Sequence, residues 1–177
     1  MLKKAFNLSM KNKHQLPLEY EAIIEAPFGA VGIIAQGLQV AIELIPEVQN
    51  TKKNTSNKLA QNVTTQIESY LKKSNSTFNL PIMPKGTPFQ RRVWQAICAI
   101  PSGQVLTYSD IAVKLKSSPR AVANACGANH LPLVIPCHRV VAKHGLGGFM
   151  KGAASGLKIK TWLLHHEGAT YENGQPI

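Results

Sequence analysis

The sequence predicts an α+β protein in which a small sheet with one helix precedes a mostly helical second half. Three observations carry this prediction. Leu18 to Ala26 alternates apolar and polar side chains, the period of a half-buried strand, and turns that hold glycine or proline separate it from two further strand-like runs up to residue 45. Leu59, Val63, Ile67 and Leu71 then recur every four residues, which puts them on one face of a helix. A break rich in proline, glycine and small polar residues over positions 74 to 88 separates these elements from segments that open on helix-capping residues. The break divides the chain into residues 1–80, a structural α/β domain, and residues 81–177, a second domain.

The first strand reads from Leu18 to Ala26, with Leu18, Tyr20, Ala22 and Ile24 on one face. Pro27-Phe28-Gly29 turns the chain into a strand from Val31 to Ala35, and Gly37 turns it into a third from Leu38 to Ile45. A polar loop leads to the helix, with Thr55 or Ser56 as its cap. These 80 residues show no catalytic constellation, so their expected role is structural. After the break, Thr87-Pro88 has the form of an N-cap followed by proline at the first helical position. Phe89, Val93, Ile97 and Ile100 give this helix an apolar stripe, and Cys98 on it reads as core. Thr107 caps a helix from Tyr108 to Leu115, with Ile111, Ala112 and Leu115 facing inward. Ser117-Ser118-Pro119 makes a short turn, and Arg120 to Ala128 a second short helix built mainly of small residues. Two short helices about such a turn form a helix-turn-helix pattern, whose second helix typically enters a DNA groove. Small residues let that backbone lie close to a duplex, and Arg120 is the long side chain at its start. An Ala-rich helix packed in a core is the plainer alternative.

Charge supports a polyanionic partner. The formal net charge is +11. Residues 81–177 hold 11 basic and 3 acidic residues, leaving +8, whereas the first 80 hold 9 and 6, leaving +3. An excess concentrated in one half is a footprint of nucleic-acid binding. No apolar run approaches a membrane span, so no membrane partner is expected. Cys98, Cys126 and Cys137 are an odd number without regular spacing, which argues against a disulfide framework and for a reducing, cytoplasmic setting. Met1 to Lys13 is basic and mildly amphipathic without a signal-peptide apolar core, and reads as an N-terminal arm.

The chemistry concentrates in Ile135-Pro136-Cys137-His138-Arg139-Val140-Val141. A strand-like apolar run, Leu133 to Ile135, ends in proline and presents a cysteine directly before a histidine and an arginine. A thiol becomes a good nucleophile when ionised, and a histidine linked to a carboxylate can take its proton. A buried, inert cysteine is the alternative. His130, Cys137, His138 and His144 lack the paired spacings of zinc ligands, and residues 1–80 contain no Cys and only His14, so no metal is expected.

Thr87-Pro88-Phe89-Gln90 with Val93-Trp94, Ile100 to Tyr108, Arg120-Ala121-Val122, Asn129, Ile135 to Val141, Trp162-Leu163-Leu164 and Glu167-Gly168 together resemble the O6-alkylguanine-DNA alkyltransferase family. These are the methylated-DNA–protein-cysteine methyltransferases. The resemblance is specific from about residue 86 to 168 and weaker over 18 to 45. It implies an N-terminal sheet like that of ribonuclease H and a C-terminal winged helix-turn-helix that binds DNA and accepts the alkyl group. It implies a repair protein that moves a methyl or other alkyl group from O6-alkylguanine, and from O4-alkylthymine, in duplex DNA to Cys137 as a thioether, once per molecule. His138 would help deprotonate Cys137 through a water, with Glu167 behind it. Asn129 would be the hinge between helix-turn-helix and active-site segment, and Arg139 a support of that segment. Tyr108 would line the guanine pocket and donate to the leaving guanine, and the carbonyls of Cys137 and Val140 would receive the guanine amino group. Arg120 would fill the gap left by the flipped nucleotide. Gln90, Ser109 and Ala121 would touch DNA, and Pro132, Val140 and Phe149 would line the alkyl pocket. No cofactor is implied, and a monomer is expected. The chain departs from better-known members at Met150-Lys151 and over Gly152 to Ser155, and Cys126 has no assigned part. A cysteine-free binder of alkylated DNA and a helix-turn-helix transcription factor are the competing classes; the presence of Cys137 weighs against the first.

Overall fold

The computed structural model describes residues 20–48, 52–82, 84–152, 154–169, 171–172 and 175–176. The N-terminal arm, Leu18 and Ala153 lie outside the described residues.

Strands β1 (Ala22–Ala26), β2 (Gly29–Gln36) and β3 (Gln39–Pro46) form an antiparallel meander. Ala26 pairs with Gly29 and Gln36 with Gln39, so both connections are two-residue turns, and Gly37 takes the left-handed φ of +59° that the second needs. The pleat sorts side chains cleanly. Ala22, Ile24, Val31, Ile33, Ala35, Val40, Ile42 and Leu44 enter the main core, while Ile23 and Ala30 join Tyr20 in a smaller cluster on the other face. The tyrosine ring lies flat on Gly32, where a Cβ would sit 2.4 Å from Tyr20 Cε1. The first strand is shorter than its alternation suggested: Tyr20 and Glu21 precede it, with the Glu21 N–H donating to the Ile33 carbonyl.

Helix α1 (Lys58–Lys72) packs on this sheet through Ala60, Val63, Ile67 and Tyr70, with Leu59 and Leu71 only half-buried. Its cap is Asn57, not Thr55 or Ser56: Asn57 Oδ1 accepts from the N–H groups of Leu59 and Ala60. Thr55 instead accepts the Asn57 N–H and donates to Glu21.

The second half begins with α2 (Pro88–Cys98), held by a reciprocal capping box between Thr87 and Gln90. Cys98 is exposed rather than core, because Val93, Trp94 and Ile97 take the inward face of α2. Strand β4 (Leu106–Thr107) leads into α3 (Tyr108–Lys114), where Thr107 and Asp110 form a second capping box. Ile111 and Ala112 are buried, while Leu115 caps the C-terminus half-buried. Helix α4 (Pro119–Gly127) starts one residue earlier than expected, because Ser118 caps it and Pro119 occupies its first position. Trp94 Nε1 donates to the Ala125 carbonyl at 2.9 Å and locks α4 onto α2. A 3₁₀ turn (Cys137–Arg139) runs into β5 (Val140–Val141), which pairs in parallel with β4. A second 3₁₀ turn (Met150–Gly152), α5 (Ala154–His166) and the strand pair β6 (Tyr171–Glu172) and β7 (Gln175–Pro176) complete the chain.

One apolar cluster runs through both halves, from Val31 and Tyr70 to Val122 and Leu163. The Ile42 N–H donates to the His130 carbonyl at 2.9 Å, tying β3 directly to the loop after α4.

Candidate active site

Leu133 to Ile135 is a turn, not the strand its composition suggested. Leu131, Leu133 and Ile135 are all buried, but their backbone bonds stay local: the Ile135 N–H donates to the Leu131 carbonyl at 2.8 Å, and Leu133 adopts a φ of +74°. Asn129 clamps this turn. Its Oδ1 accepts from the Leu131 N–H at 2.9 Å, and its Nδ2 donates to the Ile135 carbonyl at 2.9 Å and to Cys137 Sγ at 3.2 Å. The Asn129 amide thus holds both the approach to the 3₁₀ turn and the thiol that opens it. Cys137 itself is only 9% exposed.

His138, the next residue, is fully buried. Its Nε2 lies 2.9 Å from Glu167 Oε1, at the end of α5. Arg139 closes on the same carboxylate from Nε (2.8 Å) and Nη2 (2.9 Å), and its Nη1 donates to the Ile100 carbonyl. Tyr70 of α1 adds a fourth donor, its hydroxyl 2.7 Å from Oε1. Burial pushes the Glu167 carboxyl up, but the hydrogen bonds from His138, Arg139 and Tyr70 outweigh it and hold the group well below the usual carboxylate range. Glu167 is therefore an acceptor, and Nε2 of His138 carries the proton. The other ring nitrogen, Nδ1, is buried and has no hydrogen-bond partner among the described residues. Burial pulls the ring below its ordinary basicity, against the opposing pull of Glu167, so His138 is neutral at physiological pH with a lone pair on Nδ1.

Lys160 was missed by the sequence reading. It is fully buried on α5, and its Nζ donates to the carbonyls of Val140 (2.6 Å), Leu146 (2.5 Å) and Gly148 (3.3 Å). It also stands 6.0 Å from the Phe149 ring centre. The signal was present: Gly156, Ile159, Lys160, Leu163 and Leu164 share the buried face of the helix, so Lys160 occupies an apolar position. Burial lowers its pKa to about 8, while the nearby Cys137 and Cys126 thiols act in the opposite direction. Tyr108 closes over the same glycine-rich loop. Its hydroxyl donates to the Gly148 carbonyl at 3.2 Å, and a Cβ on Gly147 would sit 2.9 Å from Tyr108 Cε2. Burial, then the Cys126 and Cys137 thiols, push the Tyr108 phenol up to about 12, so it is a proton-bearing donor.

These forces leave the resting cysteine protonated. Burial pushes the Cys137 thiol up, and the Asn129 hydrogen bond and the Lys160 charge pull it down less strongly. Ionisation therefore needs a base at the moment of reaction, and the open Nδ1 of His138 is of the right type. Cys126 is half-buried and pushed up to about 12, by burial first and the Cys137 thiol second.

The remaining expected site residues fall into two groups. Arg120 is exposed at the start of α4, with Ala121 and Ser109 half-buried nearby in the helix pair. Ala123 and Gly127 leave exposed backbone along α4, while Val122 and Ala125 are buried. Gln90 spends its Oε1 on the Thr87 N–H. Val140 and Phe149 are buried around Lys160, whereas Pro132 is half-buried in the turn before Cys137. A groove of about 670 Å³ is lined by Phe78, Leu80, Cys98, Leu133 and Pro136, and by none of Tyr108, Pro132, Val140 and Phe149. Among the described residues, no group of three His, Cys, Asp or Glu side chains is placed to hold a metal ion, and no helix is long and apolar enough to cross a membrane.

The fold and site define a protein with a buried cysteine followed directly by a histidine–carboxylate pair, set beside two short helices joined by a turn. Residues 88–169 match the family described as 6-O-methylguanine DNA methyltransferase, DNA binding domain. A probable methylated-DNA–protein-cysteine methyltransferase of Acanthamoeba polyphaga mimivirus is 43% identical over 82% of this chain and 94% of its own length. The constitutive methylated-DNA–protein-cysteine methyltransferase of Bacillus subtilis is 41% identical over 71% of this chain and 75% of its own. A crystal structure of Mycobacterium tuberculosis OGT in complex with DNA is 27% identical, covers 82% of this chain and 91% of that one, and superposes with a TM-score of 0.66. The chain belongs to the methylated-DNA–protein-cysteine methyltransferase family.

Proposed function

We propose that this protein repairs O6-alkylguanine in duplex DNA by moving the alkyl group to Sγ of Cys137, once per molecule. The observation that carries this reading is the buried Cys137–His138–Glu167 series, in which Glu167 holds Nε2 and leaves Nδ1 without a partner among the described residues. The thiol proton passes to Nδ1 through a water. The thiolate attacks the alkyl carbon, so an S–C bond forms as the C–O6 bond breaks, and the bonding pair leaves with the guanine. The Tyr108 hydroxyl donates to that leaving base. The resulting thioether does not hydrolyse, which makes the reaction stoichiometric. O4-alkylthymine, with the same alkyl–oxygen bond, is the second substrate.

In this reading α3 and α4 belong to a winged helix-turn-helix, α4 lies in a groove, and Arg120 takes the place of the extruded nucleotide. Gln90, Ser109 and Ala121 contact the duplex. Pro132, Val140, Phe149 and Tyr108 surround the flipped base, and Asn129 holds the thiol. Residues 1–80 form a ribonuclease-H-like domain and residues 81–177 the domain that binds DNA. The protein works as a cytoplasmic monomer without a cofactor. The basic second half and the exposed, small-residue face of α4 support this arrangement.

Incubation with duplex DNA carrying a radiolabelled methyl on guanine O6 tests the proposal. Label on the protein, on the peptide that holds Cys137, is the expected result. Label retained on DNA by a bound protein would replace repair with simple recognition.

A further inference from the structure

The N-terminal half reaches the active site through one hydroxyl. We propose that Tyr70, on α1, is a positioning residue for alkyl transfer that sets the geometry and charge of Glu167 and, through it, the proton affinity of His138. The Tyr70 side chain is 1% exposed, and its hydroxyl donates to Glu167 Oε1 at 2.7 Å, the oxygen that also faces His138 Nε2. His166 stands edge-on to its ring at 5.3 Å and fixes its plane, while Phe78 packs more loosely beside it at 5.7 Å between centroids. The backbone is fixed too. The Tyr70 carbonyl can only accept, so His166 donates to it through Nε2 at 2.8 Å, and His166 is itself stacked on Trp162 at 4.8 Å.

A hydroxyl held this rigidly does more than fill space. Hydrogen bonds to a carboxylate disperse its charge and weaken its hold on each other donor. Around Glu167 the 3₁₀ turn supplies His138 and Arg139, α1 supplies Tyr70, and α5 supplies His166 and, near His138, Lys160. With Tyr70 in place, Oε1 shares its charge among His138, Arg139 and Tyr70. Without it, that charge concentrates on His138, which then binds a proton more tightly and is a poorer base under mildly acidic conditions. The carboxylate also loses an anchor that orients the ring.

This inference rests on the reading of Cys137 as acceptor and His138 as base, and its test separates the two. Single-turnover transfer from methylated duplex is measured against pH for the wild type, Tyr70→Phe and Phe78→Leu. Each molecule reacts once, so the amplitude counts folded protein and the rate constant is free of any loss of folded material. The ring of Tyr70→Phe stays packed, so this variant is expected to slow transfer roughly three- to tenfold near neutral pH, the scale of one ordinary hydrogen bond. Its acid limb should move to higher pH, and the His138 Nε2–H proton resonance should move downfield. Phe78→Leu disturbs the packing alone and should lower Tm without moving the acid limb or the resonance. A wild-type rate and acid limb in Tyr70→Phe would overturn the inference. So would equal shifts in Phe78→Leu. No transfer by the wild type would instead sink the underlying reading.

Discussion

His138 meets Glu167 across 2.9 Å at Nε2, while its equally buried Nδ1 meets no partner among the described residues. The pair divides one imidazole into an anchored edge and a reactive edge. Because His138 follows Cys137 directly in a 3₁₀ turn, the reactive edge belongs to the same rigid segment as the thiol.

This relationship makes the relay testable. Replacing His138 with Ala should slow transfer about a hundredfold or more, the usual scale of a lost general base, and Glu167→Gln, which keeps the imidazole, by less. The Cys137 thiol already sits above its ordinary pKa through burial, so ionisation without the base needs higher pH. The rate–pH midpoint should therefore move upward in His138→Ala, which leaves no base beside the thiol. An unchanged profile would mean that another group activates the thiol.

Glu167 also links stability to pH. Its folded pKa is depressed, so its contribution is full above the unfolded carboxylate value and is lost as pH falls through the folded value. Wild-type Tm should decline as pH drops below about 5, the upper edge of carboxylate titration. Glu167→Gln, which cannot titrate, should start from a lower Tm and decline less steeply. A parallel decline in both proteins would remove Glu167 from the acid response.

Cys137→Ala should abolish transfer while leaving DNA affinity largely intact, since the thiol lies beneath the surface at 9% exposure. Intact-mass measurement of the wild type after reaction should show one added alkyl group per chain. Its location on Cys98 or Cys126 would overturn the assignment.

Lys160 is the only donor shown for the carbonyls of Val140 and Leu146 outside backbone pairing, among the described residues. Lys160→Met keeps the stem but removes the charged donor from those oxygens. The expected loss is about 2 kcal/mol or more, from the desolvation cost of buried acceptors. The loop from 142 to 149 carries the Tyr108 contact at Gly148, so transfer should slow as well. Chemical denaturation and single-turnover rates measure both. A stable, fully active Lys160→Met protein would show that the amine is not needed to hold this loop.

Arg120 should act on access to the base rather than on chemistry. Affinity for duplex should fall steeply with salt, as expected when many phosphates are contacted by a basic surface. Arg120→Ala should slow repair of matched duplex more than reaction with a free alkylguanine base, which needs no extrusion. A mismatch opposite the lesion lowers the extrusion cost and should partly restore the rate. Equal loss on all three substrates would remove the inserting role.

Local chemistry made much of this protein legible from sequence. Thr87 and Thr107 read as helix caps directly from the chain, because each cap closes within three residues; their reciprocal partners Gln90 and Asp110 appear only in the structure. The meander showed in its period of two, because one face of each strand meets α1. The Cys137–His138 pair marked the chemistry, and Glu167 and Asn129 were placed by resemblance. Tertiary structure decided what lies between distant segments. Leu133 to Ile135 became a turn because Asn129 and local backbone bonds satisfy its polar groups while its side chains stay buried. Cys98 faces outward because three larger apolar side chains fill the inner face of its helix. Lys160 is buried because three carbonyls from a folded loop converge on its amine, and that convergence exists only after the loop closes. Tyr70 reaches Glu167 across 97 residues of chain. Periodicity placed Val63 and Ile67 in a helix face but could not report which side chain on that face carries a hydroxyl to a carboxylate in the other half. Such contacts depend on how two elements pack, and no local pattern encodes that.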